Sequence, residues 1–166
     1  MIDELQKAVA LAQKLGGEFA DARFETQKAR QISIVNGSIR TFSSTERSGI
    51  AMRVKFKGAW GLASTTTLTS DAFKTAVRNA FKMAKTANTY SKEKIGIREA
   101  ASIKRRVTAK IKIDPQNVDT QEKLKFVFSL DEAQKAVDKR IVNRTSSYVE
   151  SLKNSELVNS FGSELE

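Results

Sequence analysis

The sequence contains no histidine and no cysteine, only one proline and one tryptophan, and no long uninterrupted hydrophobic run. Each absence removes a chemistry. Without an imidazole or a thiol the chain can build no Ser-His-Asp triad, no cysteine nucleophile, no disulfide and no structural zinc site of the usual nitrogen and sulfur type. Any metal would have to be held by carboxylates alone. Charges interrupt every hydrophobic stretch well short of the roughly 20 apolar residues that cross a bilayer, so no membrane partner is expected. The opening Met1-Ile2-Asp3-Glu4-Leu5 is acidic where a secretory signal begins basic, so the expected location is the cytoplasm.

What is present fits a soluble globular protein. The 166 residues are 40% hydrophobic and 29% charged, which suits a single domain over 1–166. A domain of that size buries roughly 70% of the surface its unfolded chain exposes, enough to be stable without disulfides or metal. The net charge is +10, and it is unevenly placed. Residues 82–112 hold ten cations against Glu93 and Glu99, which accounts for eight of the ten net charges. Such a block could meet phosphate backbones, an acidic partner or water.

Hydrophobic spacing outlines the elements. Ile2, Leu5, Val9, Ala12 and Leu15 recur every three or four residues, and Gly16-Gly17 ends the helix they define. From Phe19 the period becomes two, with Ala20, Ala22 and Phe24 in phase with Ile32 and Ile34 along one long strand. Asn36-Gly37 is a type I′ hairpin signal, so Ser38 to Thr45 should fold back. Ile50, Met52, Val54 and Phe56 alternate with Arg53, Lys55 and Lys57, predicting a strand with one core face and one wet face. Lys57-Gly58 turns the chain again into Trp60-Gly61-Leu62-Ala63, for a four-stranded antiparallel meander.

A helix is expected from about Ser70 to Ala87, with Phe73, Val77, Ala80 and Ala84 on its buried stripe. Asn88 to Ser91 reads as a loop, and Val107, Ala109, Ile111 and Ile113 alternate like a strand until Asp114-Pro115 breaks it. A third helix should start near Asp119 and end near Asp138. Arg140 to Leu152 then alternates, Asn154-Ser155 can turn, and Leu157 to Ser160 begins a strand that the last residues cut short. The sum is an α+β, two-layer domain: an antiparallel meander sheet with about three helices packed on one face.

Candidate chemistry is sparse. Asp21 with Glu25, and Asp131 with Glu132, are carboxylate pairs most simply read as solvated surface. Trp60 beside its tight turn reads as packing, with an exposed binding anchor as the alternative. The basic block could bind nucleic acid, but only Tyr90 accompanies it as a stacking aromatic, so a solvated face is the simpler reading.

A set of residues nevertheless stands out. Gly49-Ile50-Ala51-Met52-Arg53-Val54, then Gly58-Ala59-Trp60-Gly61-Leu62-Ala63-Ser64, then Ala76, Ala80 and Ala84 on the following helix, resemble the N-terminal region of the TldD/PmbA family. Ala20 to Glu25 and Asn159-Ser160-Phe161-Gly162 fall where that family has similar stretches. Members, named as modulators of DNA gyrase, are similar to zinc-dependent metallopeptidases that process unstructured peptides. The resemblance implies that Arg53, Gly58, Trp60, Gly61, Ser64, Asn159, Ser160 and Gly162 are signature positions, structural or facing substrate. The family's His-Glu-x-x-x-His helix and further zinc ligand lie after the Asn-Ser-x-Gly region, so no catalytic or metal-binding residue carries over. The implied reading is a non-catalytic N-terminal domain, a fragment or a truncated relative. Zinc belongs to the full-length parent, and the domain helps to enclose unstructured peptide and to assemble subunits. Its partners are then the parent's C-terminal domain, a homodimer or heterodimer mate, and peptide. The competing expectation is a basic module bound to nucleic acid or gyrase.

Overall fold

The structure is a computed structural model that describes residues 1–93 and 95–166. Its helices are α1 (Ile2–Lys14), α2 (Ser70–Tyr90) and α3 (Thr120–Val137), with a 3-10 turn at Pro115–Asn117. Its strands are β1 (Phe19–Val35), β2 (Ser38–Phe56), β3 (Ala59–Thr65), β4 (Lys104–Arg105), β5 (Thr145–Asn159) and β6 (Glu164–Leu165). The strands form one sheet in the order β3-β2-β1-β5-β6-β4, mostly antiparallel, which gives the expected α+β class. Strands β4 and β6 pair in parallel.

Contacts divide the chain into two compact units. The first comprises Met1–Thr26, Ser48–Thr108 and Asn154–Glu166, and the second comprises Gln27–Arg47 and Ala109–Lys153. In the first, α1 buries Leu5, Ala8, Val9 and Ala12, while Asp3 and Glu4 at its start and Lys14 at its end complement the helix dipole. Gly16, at φ +102°, lets the chain leave the helix, and its N–H donates to the Gln13 carbonyl. The α1 stripe packs with Ala20 and Ala22 of β1, Ile50, Met52 and Val54 of β2, and Phe73, Ala76, Val77 and Ala80 of α2. Each fully buried Leu, Val or Met of that set contributes about 1.5–3 kcal/mol.

The α2 helix starts where the Thr69 hydroxyl accepts from the Ala72 N–H, and it lies very close to β3. A Cβ on Gly61 would stand 2.0 Å from the Ala80 carbonyl oxygen and 2.4 Å from the Ala84 nitrogen. Both are helix backbone and cannot swing aside, so Gly61 and the small Ala80 and Ala84 together set the spacing between helix and strand.

The second unit has its own core of Ile32, Ile34 and Val127, with Leu124, Phe128 and Tyr148 against it. It also buries charge. Lys123 Nζ donates to Glu150 Oε1 at 2.9 Å and to the Pro115 carbonyl, and lies 2.8 Å from Glu150 Oε2 as an ion pair. Asp131, fully buried, meets Arg144 at 3.3 Å.

Both tight turns form as expected: Asn36 and Gly37 have φ of 49° and 78°, Lys57 and Gly58 of 47° and 83°. Several expectations need correction. The strands foreseen at Ser38 to Thr45 and from Ile50 are one continuous β2, so the meander from β1 has three strands instead of four. Inside it, a Cβ at Gly49 would stand 3.0 Å from the Thr65 carbonyl oxygen, so the close approach favours glycine there. Asn154-Ser155 does not turn, and β5 runs through it. The α2 helix continues through Asn88 and Thr89 to Tyr90. Residues 107–113 alternate in sequence but form no strand. Lys55, assigned to a wet face, is buried and donates to Glu18 Oε2 at 2.6 Å.

Candidate functional site

The face of the sheet opposite α1 and α2 in the first unit carries three of the signature residues, Arg53, Trp60 and Ser64. In the β2–β3 register Lys55 faces Trp60, Arg53 faces Leu62 and Ala51 faces Ser64. Directly opposed residues share a face, so Trp60, Leu62 and Ser64 stand beside Arg53 and Lys55. Odd-numbered Phe19 and Asp21 of β1 join them.

Arg53 is fixed from two sides. Its Nε donates to both Asp21 oxygens at 3.0 Å and its Nη2 donates to Oδ2. Its guanidinium lies 5.6 Å from the centre of the Trp60 ring, within cation–π range. The hydrogen bond from Arg53 to Asp21 holds the guanidinium's pKa above its ordinary value. The Arg53 side chain remains 55% exposed while that of Asp21 is 8% exposed, so Asp21 is the buried anchor and Arg53 the presented group. Asp21 was expected on a solvated surface. The β-sheet phase that put Phe24 in the core also put Asp21 opposite it, but only tertiary packing supplies the cover.

Trp60 is half-buried, so it is neither wholly core nor wholly exposed. Its ring meets Phe19 edge to face, with centroids 5.8 Å apart, and Phe19 in turn lies 4.9 Å from Phe161. Phe19 is therefore the link between the 58–64 and 159–162 signatures. Nothing in the sequence spacing singles out Phe19 for that role. The Asn159 Oδ1 accepts from the Phe161 and Ser163 N–H groups, both at 3.0 Å. The Ser160 hydroxyl accepts from the Ala20 N–H at 3.1 Å, and Gly162 adopts φ +86°. Asn159, Ser160 and Gly162 thus shape a turn that presents Phe161. Gly58 completes the β2–β3 turn, Gly61 faces α2, and Ser64 is exposed beyond Leu62.

An open groove of about 460 Å³ is lined by Arg53, Trp60, Gly61, Leu62 and Met83. Leu62 and Met83 are more than half exposed, so the groove is apolar with one cationic wall. It runs along β3, the end strand of the sheet. In a two-residue hairpin the residues flanking the turn exchange hydrogen bonds, here Phe56 and Ala59, and the pattern then alternates. Ala59, Gly61 and Ala63 therefore bond β2, while the N–H and C=O groups of Trp60, Leu62 and Ser64 point outward. Such a row is a template for a further strand.

No three His, Cys, Asp or Glu side chains gather to hold a metal among the described residues. With neither imidazole nor thiol in the chain, the residues present do not fit a zinc centre. No described helix is long and apolar enough to cross a membrane.

Comparison with known proteins bears out the family resemblance. Residues 20–84 match the family model described as PmbA/TldA metallopeptidase domain 1, and residues 113–166 match the central domain of the same family. A metalloprotease of Methanocaldococcus jannaschii is 29% identical over 132 residues, which are 80% of this chain and 29% of that protein. A proposed modulator of DNA gyrase from Bacteroides thetaiotaomicron shares the fold at TM-score 0.80 and 17% identity, over 98% of this chain and 37% of its own. TldE from Thermococcus kodakarensis does so at TM-score 0.74 and 16% identity, over 97% of this chain and 36% of its own. The chain thus spans about a third of the length of these relatives. Successive domain models of one family cover most of the sequence, and the chain belongs to the PmbA/TldD metallopeptidase family.

Proposed function

We propose that this chain is the non-catalytic, peptide-receiving and subunit-assembling part of a zinc-dependent metallopeptidase, and that the β3 edge holds unstructured polypeptide as an added strand. The observation that carries the reading is the coincidence of outward backbone groups at Trp60, Leu62 and Ser64 with the apolar groove beside them. Backbone pairing gives affinity that tolerates many sequences, which suits a peptidase acting on unfolded substrates. The groove adds a preference for an aliphatic or aromatic side chain, and the presented Arg53 adds one for a nearby carboxylate. Hydrolysis is assigned to donors outside this chain's residues, so the purified 166-residue chain binds peptide without cleaving it. Assembly into a homodimer or heterodimer in the cytoplasm belongs to the same proposal.

The test is titration with an unstructured peptide and with the same peptide N-methylated at alternate residues. Weak binding that N-methylation abolishes supports strand addition. Equal binding of both peptides, or none at millimolar concentration, overturns it. Sedimentation equilibrium examines assembly separately: a chain that stays monomeric with its full-length relative overturns that half of the proposal.

A further inference from the structure

A second cavity lies wholly within the second unit. Along β1 the even positions Lys28, Arg30, Ile32 and Ile34 share one face of the strand. Ile32 and Ile34 pack with Val127 of α3, and Leu124 lies against them. Arg30, one step back along the strand, reaches the first residue of that helix, where its Nη1 donates to the Thr120 hydroxyl at 3.0 Å. From there the face is charged instead of apolar. It opens into a cavity of about 300 Å³ whose lining includes Lys28, Arg30, Ser44, Glu46, Gln116 and Glu150. That volume is at the lower end of small-molecule sites, which span about 300–1,000 Å³.

One wall of the cavity is already satisfied. Glu150 Oε1 accepts from Lys123 Nζ at 2.9 Å, and Glu150 Oε2 accepts from the Tyr148 hydroxyl at 2.6 Å. The Lys123 and Glu150 side chains are 3% and 12% exposed, so this pair is a fixed and internally neutral base. Arg30 is different. Its Nη1 lies 3.8 Å from Glu150 Oε1, too far for a hydrogen bond, and its Nε and Nη2 donors have no partner among the described residues. With the side chain only 26% exposed, a guanidinium is held largely out of water with four of its five N–H groups unspent. Lys28 Nζ stands 3.7 Å from Glu46 Oε1, also beyond hydrogen-bond distance, and both side chains are exposed.

We infer that this cavity binds a small α-amino carboxylate, a free amino acid or a dipeptide, with its carboxylate on Arg30 and Lys28 and its ammonium on Glu46. The unspent Nε and Nη2 of Arg30 form the edge of the guanidinium with which Arg53 grips Asp21 in the first unit, and that edge matches a carboxylate in a bidentate pair. Lys28 is two positions away on the same strand face, about 6.6 Å along it, so both cations reach one ligand. Glu46, beside Lys28, is the acceptor left for an ammonium. The Ser44 hydroxyl and the Gln116 amide are further lining groups for a peptide bond. A phosphate dianion suits the cavity less, because Glu46 and Glu150 both line it. The site uses no residue of the β3 edge and stands independently of the peptide-receiving role.

The experiment adds L-alanine, L-alanyl-L-alanine, the C-terminal amide of that dipeptide, propionate or inorganic phosphate to the full chain. Calorimetry reports affinity, and NMR reports the amide shifts of Ser44, Gln116 and Glu150. Saturable binding of alanine or the dipeptide is expected, moving those three amides and leaving the Trp60 indole unmoved, and the tighter of the two gives the ligand's length. The dipeptide amide, which lacks the carboxylate, should bind about tenfold more weakly or worse. Propionate, which is alanine without its ammonium, should bind more weakly than alanine, and Glu46→Gln should remove that difference. Arg30→Gln should abolish binding. Because Arg30 also holds Thr120, Lys28→Gln is the second variant: it should weaken binding about threefold or more with the melting temperature unchanged, since its ion pair is exposed. Equal binding of the dipeptide and its amide, phosphate binding tighter than alanine, or unmoved amides at Ser44, Gln116 and Glu150 in millimolar ligand would each overturn the inference.

Discussion

Asp21 is buried on β1 while its partner Arg53 on β2 is half exposed, and the two are joined through the guanidinium Nε, which donates 3.0 Å bonds to both carboxylate oxygens. The pair turns a surface cation into a positioned one, 5.6 Å from the centre of the Trp60 ring. Arg53→Met leaves the Asp21 carboxylate buried without its donor, and should cost about 1–3 kcal/mol in chemical denaturation. Arg53→Lys retains charge but loses the fork, so it should recover only part of that loss. Asp21→Asn/Arg53→Met should be more stable than Arg53→Met alone, yet bind peptide no better.

Gly61 has no room for a methyl group. Gly61→Ala puts Cβ into the α2 backbone, and should destabilise the fold by about 3 kcal/mol or more by thermal melting, with the groove residue Met83 displaced. Gly96, which has nothing within 4 Å of such a Cβ, provides the control: Gly96→Ala should leave the melting temperature unchanged.

Lys57 adopts φ 47° in the β2–β3 turn, a conformation that costs a side-chain-bearing residue about 1 kcal/mol. Lys57→Asn should therefore raise stability by about 0.5–1 kcal/mol without altering peptide affinity. A loss of stability on this substitution would contradict the turn geometry.

The second unit should respond to alkali. Burial, reinforced by its hydrogen bond to Glu150, pushes the Tyr148 phenol up from 10.0 to about 12. A folded-state value above the unfolded one stabilises the protein fully below pH 10, and the contribution is lost as pH rises from 10 to 12. Glu150 behaves oppositely. Burial raises its pKa, but the hydrogen bonds from Lys123 and Tyr148 outweigh burial and leave it lowered. Its contribution is present above the unfolded value of 4.5 and fades as pH falls through the lower folded value. Tyr148→Phe should reduce the alkaline loss measured by urea denaturation at pH 9 and pH 11.5, and an unchanged loss would exclude Tyr148 as its source.

The elements that local chemistry dictates were legible in the sequence: the α1 stripe, both Gly-containing turns, the start of α2 near Ser70 and the phase of β1. What was hidden depends on partners distant in sequence. Ser38 to Phe56 reads as two strands because its exposed middle, Phe42 to Arg47, lacks a hydrophobic face, although hydrogen bonding continues through it. Residues 107–113 read as a strand because alternation reports capacity for pairing without reporting a partner. Buried Lys55 and Asp131 read as surface because a charged residue looks the same in sequence whether Glu18 or Arg144 meets it. Of the candidate site, Arg53 and Trp60 were visible through the family resemblance, whereas Asp21 and Phe19, which hold them, emerge only from the packing.

The most direct test is hydrogen exchange of the β3 amides with and without an unstructured peptide. Slowed exchange at Trp60, Leu62 and Ser64, with Gly61 and Ala63 unchanged because β2 already binds them, is the predicted outcome. Peptide binding that leaves Trp60, Leu62 and Ser64 exchanging at their free rates would contradict the account.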